Sequence, residues 1–436
     1  MDKTSFYNFD VNVGGNMLLY NTLSNFLLCL TKEEFDVIQY YMADLQKFNA
    51  EYPTLYEEFK KAGFIIAKSY NELEYIKLQN KRCIFVNKDF HITINPTLEC
   101  NLKCWYCSVK YAGGKFNNGM GSNIVNSVIA HIQNVVQKKN PSSLHLDWFG
   151  GEPLMYFSDV IDPISSNTNK FVWENKIKFT QHITTNATLL DDDVICRMKE
   201  LNFTSFQIPI DGNEQRHNKI KFNNKQGTYR KVIDNINKIA ETIPNVYIIL
   251  RINYDRQTLK HIQDVIKDID EKNKRCIRVD FQRVWQVFCT EKEVNLLREV
   301  KDIFRLNGLN SDYWAFRPGK FYKCYSDKYH HYAINYDGKI FKCTARDYGE
   351  DKVIGTLLPD GNVTWNDGLL GQLFSKSTFE NERCLACKKL PICMGPCIQK
   401  NHDSRVNNTQ LPCEYNYVQY TLESFIIEEA TKRNLI

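Results

Sequence analysis

The stretch Cys100-Asn101-Leu102-Lys103-Cys104-Trp105-Tyr106-Cys107 follows closely on a run, Phe90 to Asn95, that reads as a strand. Its three thiols, spaced by three and then two residues, can all ligate one cubane iron–sulfur cluster from a single loop. Zinc would want a fourth ligand close by, and the neighbouring sequence offers none. A [4Fe–4S] cluster held by three protein thiolates leaves one iron open to a small molecule.

Outward from that loop, strands and helices alternate as far as about Leu306. Strand candidates are Phe90 to Asn95, Leu144 to Phe149, Phe179 to Thr185, Thr204 to Ile210, Val246 to Asn253 and Arg278 to Val284. Helix-length segments such as Val125 to Val136, Thr228 to Ala240 and Leu259 to Ile269 lie between most of them. Six βα units in series imply a parallel sheet with right-handed crossovers, doubly wound or curled into an incomplete barrel. In either arrangement the active site belongs at the C-terminal ends of the strands, where the cysteine loop falls.

With Tyr106 before its last cysteine, the loop resembles that of the radical S-adenosylmethionine (SAM) superfamily. Gly150-Gly151-Glu152-Pro153, after the second strand, resembles the segment that holds the methionyl amine of SAM. Its glycines permit close backbone approach, and the Glu152 carboxylate suits a cationic amine. Thr185-Asn186-Ala187-Thr188-Leu189 resembles the family's Thr-Asn-Gly-Thr stretch, with Ala187 in place of glycine. Ile208-Pro209-Ile210-Asp211-Gly212 resembles Ile-Ser-Leu-Asp-Gly, with Pro209 replacing a serine that can help hold SAM. Arg251 and Asn253 end the fifth strand on the same face and suit the SAM carboxylate. The resemblance covers about Phe90 to Leu306. It implies a partial (β/α)6 barrel of the α/β class and a SAM-binding cluster on the catalytic cysteines Cys100, Cys104 and Cys107. Cofactor-binding roles then go to Tyr106, Gly150, Gly151, Glu152, Pro153, Asn186, Asp211, Arg251 and Asn253.

From about Asp312 the helical rhythm stops and cysteines crowd in. Cys324 is followed after thirteen residues by Gly338 and after four more by Cys343; then come Cys384, Cys387, Cys393, Cys397 and Cys413. Seven cysteines at such spacings signal metal, and seven is awkward for zinc sites that take four each. The pattern resembles the SPASM extension of peptide-modifying radical SAM enzymes, which binds two auxiliary [4Fe–4S] clusters. That resemblance implies Cys384, Cys387, Cys393 and Cys413 for one cluster and Cys324, Cys343 and Cys397 for the other. With the SAM-binding cluster this makes three [4Fe–4S] clusters. Arg317 to Lys323 supplies no eighth cysteine, so the second of these auxiliary clusters has an iron open to a substrate thiolate or another ligand, with Cys289 the one spare cysteine for closing it. Cys29, Cys83, Cys196 and Cys276 read as buried small hydrophobes.

Before the barrel, Phe9 to Val13, Met17 to Leu19 and Phe26 to Leu30 read as short strands, interrupted at Gly14-Gly15-Asn16. A capping box, Thr31 with Glu34, opens a helix; Pro53 and Gly63 bound a second; Phe64 to Ala67 reads as a strand; Ser69 with Glu72 opens a third helix. This winged-helix-like module resembles the PqqD-like domains that add a leader peptide as an extra strand at a sheet edge. The expected domains are therefore 1–85 for leader recognition, 86–310 for the radical SAM barrel and 311–436 for the SPASM domain.

The whole chain has 436 residues, 43% of them hydrophobic, a net charge of +5 and 15 cysteines. That apolar fraction excludes a disordered chain, and no apolar run approaches the roughly 18 residues of a membrane span. The charge is too weak and dispersed to argue for nucleic acid. Met1 to Asp10 does not read as a signal peptide, so a cytoplasmic location is expected. The family resemblance implies an oxidoreductase that uses a 5′-deoxyadenosyl radical to close a thioether, carbon–carbon or carbon–oxygen crosslink within a ribosomally made precursor peptide. Its expected partners are that peptide, with its leader, and a flavodoxin- or ferredoxin-like electron donor, with neither nucleic acid nor membrane. One rival is a sulfatase-maturase-like oxidation of Cys or Ser to formylglycine. It is disfavoured because Thr344-Ala345-Arg346 follows Cys343 where those relatives carry an aspartate. The other is a catalytically silent peptide-binding iron–sulfur scaffold, which would have no use for an open-iron cluster.

Overall fold

The protein is described from a computed structural model covering residues 1–86, 88–107, 109, 119–223, 226–287, 290–311, 316–345, 347–375, 378–411, 413 and 421–436. Compactness divides the chain into two units, not along the three zones of the sequence. One comprises Met1–Asn87, Tyr313–Tyr329 and Gly371–Ile436; the other comprises Lys88–Asp312 and His330–Leu370.

The first unit opens with β1 (Asp2–Thr4), then an antiparallel meander of β2 (Asn8–Val13), β3 (Asn16–Asn21) and β4 (Phe26–Thr31). Gly14 and Gly15, at φ +58° and +93°, make the hairpin turn between β2 and β3, which needs two left-handed residues. Alternation along β3 sorts its core. Leu18 and Tyr20 pack with Val11, Leu27, Phe425 and Ile426, whereas Met17 and Leu19 pack with Phe35, Ile38, Phe59 and Phe64. The expected capping box forms at Thr31 and Glu34 and starts the helix Lys32–Ala43; Pro53 opens Pro53–Lys61, and Gly63 follows at φ +83°. β5 (Ile65–Ala67) pairs antiparallel with β1. The box expected at Ser69 and Glu72 does not form. Asn71 caps the helix Glu72–Lys81, because the buried Glu72 carboxylate instead accepts from Ser5 Oγ and the Phe6 N–H. The closing helix runs Leu422–Lys432, and 414–420 lie outside the described residues.

In the second unit the six expected strands are β6 (Asp89–Ile94), β7 (Ser143–Trp148), β8 (Lys178–Thr184), β9 (Phe203–Ile210), β12 (Tyr247–Tyr254) and β13 (Ile277–Arg283). A small ribbon, β10 (Phe222–Asn223) with β11 (Gln226–Gly227), sits between β9 and β12 in sequence. The six strands are parallel and lie in the order β13-β12-β9-β8-β7-β6. On the other side of β6 the sheet continues with β14 (His331–Ile334), parallel to it, and then β15 (Lys339–Phe341), β16 (Gly355–Leu357) and β17 (Val363–Trp365), antiparallel. Residues 330–370 of the cysteine-rich zone thus share the barrel's sheet. The expected helix over Leu259 to Ile269 is a short α-helix, Arg256–His261, continued as 3-10 turns over Ile262–Asp268.

Alternation also separates the sheet's two faces. Leu144, Leu146, Trp148, Ile208, Ile210, Leu250 and Ile252 are fully buried, while the residues between them, including His145, Asp147, Gln207, Arg251 and Asn253, keep partial exposure. Filled barrels use branched aliphatics inside. Here the inward face is polar and keeps partial exposure along β7, β9 and β12, while Thr93 of β6 and His331 of β14 are fully buried. Among the described residues no helix is long and apolar enough to cross a membrane.

Candidate active site

The cysteine loop leaves the C-terminal end of β6, and the loop after β7 is clamped against its start. Phe149 N–H donates to Ile94 O at 3.0 Å, Gly151 N–H to Thr97 O at 3.0 Å and Glu152 N–H to Glu99 O at 2.7 Å. A Cβ on Gly150 would lie 2.2 Å from Thr97 O, and one on Gly151 1.8 Å from Glu99 O. The glycines do serve close backbone approach, but to the loop before Cys100. Pro153 opens the short 3-10 turn Pro153–Tyr156 that Glu152 caps.

Two networks flank the loop, each ending on a different sulfur. In the first, Glu152 is fully buried and its two oxygens accept from Leu154 N–H (3.1 Å), Thr185 Oγ1 (2.6 Å) and Asn186 N–H (2.7 Å). Asn186 in turn sends Nδ2 to Asn101 Oδ1 (2.8 Å) and to Cys100 Sγ (3.7 Å). Burial lifts Glu152 to about 7, against the lowering effect of Thr185, Asn186, Leu154 and Lys221. Ala187, where the family has glycine, still adopts φ +61°, so the turn keeps its left-handed geometry. Pro209 is tolerated because β8 pairs with β9 only as far as Thr184↔Gln207, and its missing N–H falls beyond that ladder.

In the second network Tyr106 OH donates to Asp211 Oδ2 (2.6 Å), and Asn253 Nδ2 reaches Asp211 Oδ1 (3.3 Å) and Tyr106 Oη (3.1 Å). Arg251 Nε donates to Asn253 Oδ1 (3.1 Å). Lys221, which no motif singles out, places Nζ 3.4 Å from Cys104 Sγ and 3.5 Å from Asp211 Oδ2. Burial pushes its ammonium down, but Asp211, Tyr106 and Cys104 outweigh that and hold it well above its ordinary value.

The thiols suit a cluster. Burial raises Cys100 to about 12, and the nearby Glu152, Cys104 and Cys107 add to the rise; burial likewise raises Cys104, against the pull of Lys221. The groups aimed at these sulfurs, Leu102 N–H (3.4 Å), Asn186 Nδ2 and Lys221 Nζ, are donors of the kind that stabilise ligating thiolates.

Deeper along the inward face lies a cluster that the sequence reading did not assemble. His91, His145, His182 and His331 come from four different strands, with Asp147 among them. The His91 ring meets those of His145 and His331 edge-on at 4.5 and 4.6 Å, and its Nε2 lies 3.6 Å from Asp147 Oδ2. Burial pulls His145 down to about 3 and lowers His182 and His331. Burial pushes Asp147 up, but His91 and the other imidazoles leave it lowered overall. The period of two was the only signal available for these residues, since they share a face but not a segment.

Of the C-terminal cysteines, Cys384 is raised to about 11 by burial, with the Cys387 and Cys413 thiols as close neighbours adding to the rise. Cys393 ends the short helix Leu390–Cys393. Cys324 and Cys397 belong to the first unit and Cys343 to the second. Asp327 ties the first two: its Oδ2 accepts from Cys324 N–H (2.9 Å) and its Oδ1 from Ile398 N–H (2.8 Å), directly after Cys397. Cys289 and Arg346 lie outside the described residues. Cys196 is exposed, and Cys29, Cys83 and Cys276 are half-buried rather than buried as expected; Cys196, for one, lies on a largely solvated helix, Asp192–Glu200.

Residues 94–269 match the Radical SAM superfamily. Over those residues the chain carries a radical SAM domain on an α/β fold, and that family implies SAM and a [4Fe–4S] cluster as cofactors. Among individual proteins it is similar to the radical SAM cyclopropyl synthase TigE of Paramaledivibacter caminithermalis, at 22% identity over 392 residues covering 80% of this chain and 77% of TigE. In fold it is similar to anSMEcpe solved with AdoMet and the Cp18Cys peptide, at TM-score 0.57 and 18% identity over 80% of this chain and 98% of that one. It is also similar to Streptococcus suis SuiB bound to S-adenosylmethionine, at TM-score 0.51 and 18% identity over 92% and 96% of the two chains.

Proposed function

We propose that this protein is a radical SAM/SPASM peptide maturase that closes a crosslink within a ribosomally made precursor peptide, with carbon–carbon closure favoured over thioether or carbon–oxygen. The observation that carries the reading is the three-thiol loop after β6, flanked by two hydrogen-bonded networks, in a barrel whose strands β7, β9 and β12 present a polar, partly exposed face. The relatives support the substrate class: TigE is named a cyclopropyl synthase, and SuiB has been solved with its precursor peptide SuiA at TM-score 0.50.

When bound, SAM and the cluster supply abstraction of a hydrogen atom from an unactivated carbon. The chain's own residues do the rest. Cys100, Cys104 and Cys107 hold the cluster. Glu152 and Asn186 on one side, and Asp211, Arg251 and Asn253 on the other, present a carboxylate, amides and a guanidinium suited to the ends of an amino acid. Cys384, Cys387, Cys393 and Cys413 would hold one auxiliary cluster, and Cys324 and Cys397 would contribute to another, which would give the departing electron a place to go. A flavodoxin- or ferredoxin-like protein supplies the reducing electron. Among the described residues β2 and β4 are the edges of the meander, and a leader would extend one of them.

Coexpression with candidate precursor peptides tests the reading by mass spectrometry. Each modification is expected to remove two hydrogens from the peptide and to leave 5′-deoxyadenosine in equal amount. Labelled full-length precursor is expected to bind more tightly than the same peptide without its leader. Equal binding of the two would remove the recognition role and leave the catalytic one standing.

A further inference from the structure

We propose that Lys221 is a redox-positioning residue. Its ammonium, hydrogen-bonded to Cys104 Sγ, raises the reduction potential of the cluster on the Cys100, Cys104 and Cys107 loop, and Asp211 limits how far. This rests on the radical SAM domain and not on the peptide reading.

The local sequence explains how a lysine reaches that place. Asp211-Gly212 turns the chain sharply, with Gly212 at φ +129° and no room for a Cβ beside Arg216. Asn213 then caps the short helix Glu214–Ile220, which delivers Lys221 back over the cysteine loop. Its backbone is pinned on both sides, N–H to His217 O at 2.7 Å and C=O from Thr228 Oγ1 at 3.0 Å. The side chain is 5% exposed, and its Nζ also lies 5.6 Å from the centre of the Tyr106 ring.

A lysine is seldom buried so fully without a charged partner. Asp211 is one, yet that carboxylate is already served by Tyr106 and Asn253. Of Cys104 Sγ and Asp211 Oδ2, the sulfur is the nearer to Nζ. The donors on Cys100, Leu102 N–H and Asn186 Nδ2, are both neutral, so the two sulfurs differ in the charge of their donors. A cation bonded to a ligating sulfur stabilises the reduced, more negative cluster more than the oxidised one. A carboxylate 3.5 Å from that cation opposes it. Removing one charge or the other should therefore move the potential in opposite directions, which loosened packing would not do.

The test uses the reconstituted full chain without SAM, with iron per chain measured first. The reduced cluster is followed by electron paramagnetic resonance at fixed potentials, and its signal is identified as the one that later SAM addition perturbs. Lys221→Met is expected to lower the reduced fraction about tenfold at a potential where the wild type is half reduced. Lys221→Arg should restore most of it, and Asp211→Asn should raise it above wild type. An unchanged reduced fraction in iron-replete Lys221→Met, with SAM affinity alone lost, would overturn the proposal and make Lys221 a cofactor ligand. Lys221→Met and Asp211→Asn shifting in the same direction would overturn it as well. If Lys221→Met fails to take up iron, the direction of the Asp211→Asn shift decides.

Discussion

Glu152 shows how far one residue's chemistry depends on its surroundings. An acid whose folded pKa, about 7, lies above its ordinary 4.5 favours the folded state when protonated. Its contribution is therefore best below pH 4.5 and is lost as pH rises to about 7, by on the order of 3 kcal/mol. The ligand-free protein is expected to lose melting temperature across that window, and Glu152→Gln to flatten the slope; an unaltered slope in the variant would place the titration elsewhere. A bound amine cation should reverse the penalty, so calorimetry should find SAM bound more tightly at about pH 8 than at pH 6. At Gly151 steric exclusion is decisive. Gly151→Ala should destabilise the fold by about 1–3 kcal/mol, read by denaturant unfolding, and reduce iron uptake by the cysteine loop. The identity of both residues was legible in the sequence because their motif demands them. Their partners were not: Thr185 is 33 positions from Glu152, and Glu99 is 52 from Gly151.

Among elements, the ones governed by neighbouring residues were read well. The capping box at Thr31 and Glu34 closes within one turn and forms as expected, whereas the one at Ser69 and Glu72 loses its carboxylate to Ser5, 67 positions away. The six parallel strands came out within a residue or two of their expected ends, since alternation and bounding turns are local. The helix Ile398–Val406 depends instead on a distant group. Asp327 accepts from its first N–H and from the Cys324 and Lys323 N–H groups, joining two cysteine-bearing segments through one buried carboxylate. Asp327→Ala leaves those donors without it and is expected to cost about 2–4 kcal/mol in denaturant unfolding. On the reading that Cys324 and Cys397 share a cluster, iron per chain should fall in the same variant. Asp327→Asn keeps one acceptor and should be milder on both counts.

At the scale of the whole molecule, the chain's two ends build one core. Phe425 and Ile426 of the C-terminal helix pack on Leu18 and Tyr20 of β3, with the Tyr20 and Phe425 rings 6.0 Å apart. Phe425→Ala should cost about 3–5 kcal/mol. Amide exchange in β3 should accelerate along with exchange in the helix Leu422–Lys432; acceleration in the helix alone would show that the two do not unfold together. The sequence by itself determined the extents of the six strands and the three-thiol loop, because each rests on a pattern within one segment, and the resemblance its motifs carry pointed to the class of chemistry. Only the tertiary structure decided that residues 330–370 extend the barrel sheet, that Lys221 bears on Cys104, and that four histidines and Asp147 share one inward face. Those contacts join residues whose separation in sequence carries no periodic signal, so they exist only once strand register and loop closure bring the side chains within hydrogen-bonding distance.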